Sequence, residues 1–141
     1  MITAVDTSVL VDVFAADPEL GPGSMAALRQ CLAQGRVVAC AAVWAEVAAG
    51  FPTPDTARAA MSQAGVEFAP GGIEAALLAA AAWRAYRRGG GPRTRVAADF
   101  LIGAHALAHA DRLLSRDRGF YRTYFRRLSV LVPAAASSPA H

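Results

Sequence analysis

An alternation of two periods runs the length of the chain and restricts its fold more than any other feature. Short apolar runs at 2–5, 37–40, 66–69, 112–115 and 129–132 read as strands, and longer segments with apolar residues three and four apart lie between them. The first run leads into VDTSVLVDVF, in which residues 8–14 form a short helical piece. A Gly-Pro-Gly-Ser turn at 21–24, with its N-cap, opens a helix that places Met25, Leu28 and Leu32 on one face. Another helix runs through Val43, Trp44 and Val47. Thr53 and Pro54 are a cap and a first helical residue, opening a helix that ends near Gly65. A long alanine-rich helix spans 73–88 and closes on Gly89, Gly90, Gly91 and Pro92. One more helix is expected over 96–110 and a short helical piece over 119–125. Strands alternating with helices imply an α/β domain whose parallel sheet is covered on both faces through right-handed crossovers.

The 141 residues suffice for one domain with a single core, expected over 1–132. The Pro, Ala and Ser residues of 133–141 read as a disordered C-terminal tail. Apolar residues make up 55%, and much of the excess is alanine, which suits closely approaching helices. No apolar segment approaches the roughly 18–20 residues a membrane span needs, and no basic region precedes the first apolar run as a signal peptide requires. Cys31 and Cys40 are too few for a disulfide framework and read as two buried thiols, as expected of a cytoplasmic protein.

All 14 residues of the lysine and arginine class are arginine. A GC-rich genome explains that bias, but it still excludes chemistry. P-loop phosphate transfer needs a lysine after its glycines. Phosphoaspartate receivers and aspartate-nucleophile phosphatases also rely on one. The charge is unevenly spread: residues 1–83 hold three arginines against eight acids, whereas residues 84–127 hold eleven arginines against three. Such asymmetry suits a polyanion gripped by one side of the domain, and solvated helix faces would produce the same count.

The acids then locate the chemistry. Ligands of an open parallel sheet bind beyond the C-terminal ends of its strands, near the switch in strand order. Asp6 ends the first strand. Glu46, within AAVWAEVAAG, lies in the first turns after the second strand, and Asp117, within LLSRDRGFY, follows the fourth. Asp99, within RVAADFLIGAHA, lies in the first turn or so of a helix that starts at the same edge. Four carboxylates in one cleft repel unless some take up protons or a cation joins them. Hard oxygen donors suit Mg²⁺ or Mn²⁺, and the expected chemistry is phosphodiester hydrolysis.

Each acid has a plainer reading. Asp6 would also serve as a helix N-cap, Glu46 as a surface residue and Asp117 as a turn aspartate. Their joint placement on one rim favours the site. Asp12, six residues further into the first helix, is instead expected to be solvated or paired with an arginine. His105 and His109 are spaced as two ligands on one helical face, yet no HExxH accompanies them, and they read as core or surface histidines. Trp83 and Tyr86 could stack bases, but a helix–helix contact or a dimer interface is the expected reading. No Ser–His–Asp or catalytic cysteine arrangement is present.

The stretches VDTSVLVDVF, WAEVAAG, RVAADFLIGAHA and LLSRDRGFY resemble, in order and spacing, the PIN-domain family and within it the VapC toxins of bacterial type II toxin–antitoxin pairs. The likeness covers residues 2 to about 132. It implies a three-layer α/β/α domain with a five-stranded parallel sheet in the order 3-2-1-4-5, and a metal-dependent endoribonuclease using Mg²⁺ or Mn²⁺. The family's acidic quartet falls on Asp6, Glu46, Asp99 and Asp117 as catalytic and metal-binding residues. Its small polar position after the first acid falls on Ser8. The hydroxyl before the last acid, commonly threonine, is Ser115 here. Arg116 and Arg118 are expected as RNA phosphate contacts. The resemblance also implies a homodimer and a VapB-like antitoxin in the active-site groove, whose apolar surround is expected from Trp44, Val47 and Phe51. A housekeeping RNA-processing nuclease and a catalytically silent nucleic-acid-binding partner module are the competing functions.

Overall fold

A computed structural model of the chain describes residues 1–92 and 97–134. The described residues form, in order, β1 (Ile2–Val5), α1 (Thr7–Phe14), α2 (Gly21–Gln34), β2 (Arg36–Ala39), α3 (Ala41–Ala48), α4 (Pro54–Gln63), β3 (Val66–Phe68), α5 (Gly72–Arg88), α6 (Ala97–His109), β4 (Arg112–Leu114), α7 (Arg118–Tyr124) and β5 (Val130–Leu131). The five strands make one sheet in the order β3-β2-β1-β4-β5, and every pairing is parallel. The expected α/β architecture and strand order are therefore observed.

β1 is the central strand. Thr3 lies opposite both Val37 and Arg112, and Ala4 opposite both Val38 and Leu113. Successive strand residues point to opposite faces. Ala4, Val5, Val37, Val38, Ala39, Leu113 and Leu114 are nevertheless all buried, so both faces are covered by helices. The chain proceeds from β1 to β2 and β3 in one direction, then returns to add β4 and β5 on the other side. That reversal puts the switch point between β1 and β4, with a crevice beyond their C-terminal ends.

The alanine-rich α5 buries Ala75, Ala79 and Ala82 on one face, which brings it close to α6. Trp83 stacks on Phe100 with ring centroids 5.6 Å apart and planes 4° from parallel. Tyr86 meets Phe100 edge-on at 5.4 Å. Of the readings of Trp83 and Tyr86, the helix–helix contact is thus present. The opposite face of α5 leaves Ile73 and Leu77 exposed.

Several boundaries differ from expectation. α2 begins at Gly21 rather than after Ser24, because Asp17 supplies the start: its Oδ1 accepts the N–H groups of Glu19 and Leu20 at 2.9 and 2.8 Å. Pro22 then occupies a first-turn position where no N–H is needed, and Ser24 is inside the helix. Strands β2 to β5 end a residue early; after β2 the next residue, Cys40, is the N-cap of α3, and after β4 the Ser115 hydroxyl turns to Asp6. The expected start of the sixth helix at 96 and the tail residues 135–141 lie outside the described residues. Pro133 is buried and the Ala134 carbonyl lies against Gly23, so the chain stays packed two residues past the expected domain end. Among the described residues no helix is long and apolar enough to cross a membrane.

Candidate active site

Asp6 follows β1 directly, and its N–H continues the sheet ladder to the Leu114 carbonyl at 2.9 Å. Its side chain is 6% exposed and caps α1, with Oδ1 accepting the Thr7 N–H at 2.7 Å. The plain capping role and the rim position therefore coexist. Oδ2 accepts the Ser115 hydroxyl at 2.7 Å and the Tyr121 hydroxyl at 3.2 Å. Burial raises the proton affinity of Asp6 above the ordinary carboxylate range; the bonds from Ser115, Thr7 and Tyr121 oppose that shift, and the negative charge of Asp99 adds to it. A carboxylate so desolvated, with three donors and no cation beside it among the described residues, is a strong anchor for a positive ion.

Ser115 is fully buried at the end of β4 and has two duties. Its hydroxyl donates to Asp6 and accepts the Asp117 N–H at 3.0 Å, which ties the loop bearing the fourth acid to the first. Asp117 is the residue before α7 and Asp99 sits in the first turn of α6. Both carry negative charge felt at Tyr121, whose hydroxyl is held firmly protonated by burial first and by Asp6, Asp99 and Asp117 after it. Tyr121 is therefore a neutral donor throughout the physiological range. Asp6 thus touches this buried phenol, and Asp99 and Asp117 act on it through their charge.

Glu46 is exposed on α3 and is reached through Thr7, whose hydroxyl donates to its Oε1 at 2.7 Å. Thr7 hence serves both neighbours, through its N–H to Asp6 and its hydroxyl to Glu46. Ser8, the expected polar residue, has a buried hydroxyl with no hydrogen-bond partner among the described residues. Thr7 and Tyr121 are the two residues that sequence reasoning missed. DTS offers two adjacent hydroxyls and only helical phase distinguishes them, while Tyr121 shares its segment with several core aromatics.

Arg116 requires a correction. Instead of facing the crevice as a phosphate contact, it turns inward: Nε donates to Asp12 Oδ2 at 2.6 Å, and Nη2 donates to the Leu20 carbonyl at 2.8 Å and to Ser24 Oγ at 2.6 Å. Asp12 is accordingly arginine-paired. Arg118 stays exposed at the first residue of α7. Val47 is a core residue, whereas Trp44 and Phe51 are half-buried, Trp44 leaning on Phe68 at 6.1 Å and Phe51 packing edge-on against Phe14 at 5.5 Å. His105 is buried in the core, with its Nε2 unpartnered among the described residues, and His109 Nε2 lies 2.6 Å from the Gly71 carbonyl. Both cysteines are free and buried.

Among the described residues no three acidic, histidine or cysteine side chains close on one point as a ready cage. Mg²⁺ needs no such cage, because water and substrate phosphate complete its shell once one or two carboxylates hold it. The donors are all hard oxygens, Asp6 is desolvated, and a buried Ser8 hydroxyl is unsatisfied two residues away. The residues fit a hard divalent cation.

These elements define an α/β/α domain with an acidic crevice at the switch point of a parallel sheet. The PIN-domain model matches residues 3–126, and the chain belongs to the PIN-domain family, whose members are generally nucleases. The fold is similar to a chain of VapBC2 from Rickettsia felis bound to a promoter DNA fragment, with a TM-score of 0.74 and 16% identity over 95% of this chain and 100% of that one. It is also similar to VapBC-1 of nontypeable Haemophilus influenzae, at 0.71 and 18% over 94% and 98%. FitAcB of Neisseria gonorrhoeae follows at 0.64 and 20% over 93% and 96%. No curated protein matches the sequence.

Proposed function

We propose that this protein is the toxin of a type II toxin–antitoxin pair, a cytoplasmic endoribonuclease that hydrolyses RNA phosphodiester bonds with Mg²⁺ or Mn²⁺. The observation that carries the reading is the desolvated Asp6 carboxylate at the switch point, whose hydrogen-bond donors among the described residues are all neutral and which shares its field with Asp99. Asp6 and Asp99 would hold the cation, with Asp117 and Glu46 completing the quartet. A bound divalent ion supplies Lewis acidity toward a phosphoryl oxygen and a water of lowered pKa. The chain's own groups prepare the site. Ser115 and Tyr121 fix the Asp6 carboxylate, Thr7 holds Glu46 beside it, and Ser115 sets the loop of Asp117.

The solved complexes that share the fold join such chains to antitoxins, which supports a VapB-like partner here. An antitoxin arginine placed among the acids would replace the cation through charge-assisted, bidentate bonds. The exposed Ile73 and Leu77 face of α5 supports a homodimer.

The test is Asp6→Asn. Calorimetric titration should show Mn²⁺ binding weakened at least tenfold, with RNA cleavage lost and the fold intact by circular dichroism. Equal Mn²⁺ affinity in the two proteins removes Asp6 from the metal site. The antitoxin should compete with Mn²⁺ in the same titration.

A further inference from the structure

An open groove of about 520 Å³ runs beside Asp99, between Tyr86 and Pro92 on one side and Gly119, Phe120 and Tyr124 on the other. Whatever fills it lies against one of the acids proposed to hold the cation. Three of its lining residues are aromatic: Tyr86 and Phe120 show only a ring edge from the core, and Tyr124 is half-exposed. The half-buried Tyr124 ring is wedged 5.4 Å from Tyr86 and 5.3 Å from Phe120, and the Tyr86 hydroxyl donates to the Pro92 carbonyl. The mouth is kept clear at Gly119, where an added Cβ would meet no atom within 4 Å. Around it, α7 and the following loop present Arg118, Arg122, Arg126 and Arg127 to solvent. Neutral rings inside and guanidinium groups outside match the two halves of a nucleotide, a planar base and its phosphates.

We propose that this groove is a nucleobase subsite: it takes one unstacked base of the RNA strand adjacent to the scissile bond and thereby sets the cleavage preference. Thr123, whose hydroxyl donates to the Gly119 carbonyl at 2.8 Å, lines the same groove and keeps lone pairs toward a base edge. The inference rests on the ribonuclease reading above.

The experiment separates the two. If the wild-type protein with Mn²⁺ cuts no RNA, the ribonuclease reading fails and this one with it. Given cleavage, a short substrate carrying 2-aminopurine at successive positions is titrated with the Asp6→Asn protein. One position should be quenched severalfold. Adding Gly119→Leu, which fills the groove without touching the fold, should restore that fluorescence and weaken RNA binding about tenfold, the size of one lost base stack. Gly119→Ala should fall between. In the active protein, Gly119→Leu should reduce cleavage about tenfold at preferred sites relative to the others. Unchanged quenching and unchanged cleavage sites in Gly119→Leu overturn the proposal. So does a Gly119→Leu protein that loses only antitoxin binding, since the groove then holds a peptide.

Discussion

Replacing Arg116 by alanine should cost the fold far more than a surface arginine does. The side chains of Arg116 and Asp12 are 19% and 12% exposed and meet at 2.6 Å. Truncation deletes three hydrogen bonds and leaves the Asp12 carboxylate in a mostly dry setting with only the Ser24 hydroxyl, at 3.0 Å, still on it. Breaking one side of a buried pair costs about 3–5 kcal/mol. The surviving Ser24 bond and partial exposure place this case near the lower end, about 3 kcal/mol. For a domain of this length that lowers Tm by roughly 10 °C. Arg116→Lys keeps the charge but loses the fork and should fall about halfway. The double variant Arg116→Met with Asp12→Leu removes both charges and should be more stable than Arg116→Ala alone. Thermal melts followed by circular dichroism in metal-free buffer measure all three. A drop under about 3 °C for Arg116→Ala, with a flatter salt dependence of RNA binding, would refute the structural role and return Arg116 to the phosphate backbone.

Other consequences are open to measurement. Burial and the neighbouring His109 hold His105 below the ordinary imidazole value, so the unfolded chain takes up a proton that the native chain refuses. Stability should thus be complete above about pH 6.5 and fall below it, and His105→Phe should remove that slope; an identical pH profile in the variant sinks the assignment. Thr7→Val keeps the N–H bond to Asp6 and frees Glu46, so cleavage should drop several-fold with little change in Tm, and Thr7→Ser should restore it. Arg118→Ala should leave Tm alone and lower the log–log salt slope of RNA binding by about 0.7, as one lost single-strand phosphate contact requires.

The alternation of periods exposed nearly all elements because the central strands β1, β2 and β4 are buried on both faces and the helices bury one. What it hid were boundaries set by side chains from elsewhere. The Asp17 side chain orders the turn that leads into α2, and no periodicity reports an Asx turn. The position of Asp6 was legible because a carboxylate at the end of an apolar strand has few other uses. Its supports were not. Tyr121 reads as one more core aromatic, and its bond to Asp6 spans 115 positions of sequence. Arg116 and Arg118 are two residues apart and look alike in the sequence, yet one is locked inward by Asp12 and the other is exposed.

The centrality of β1 has a bearing on synthesis. Asp6 is made together with Thr7, but its other partners, Leu114, Ser115 and Tyr121, follow it in the chain by more than 100 positions. A growing chain that has not yet emitted β4 has the leading aspartate without the hydroxyls that orient it and without Asp117. On the proposed reading the nuclease site is therefore incomplete until the returning strand docks beside the first, and an inhibitor made in advance has that whole interval in which to be ready.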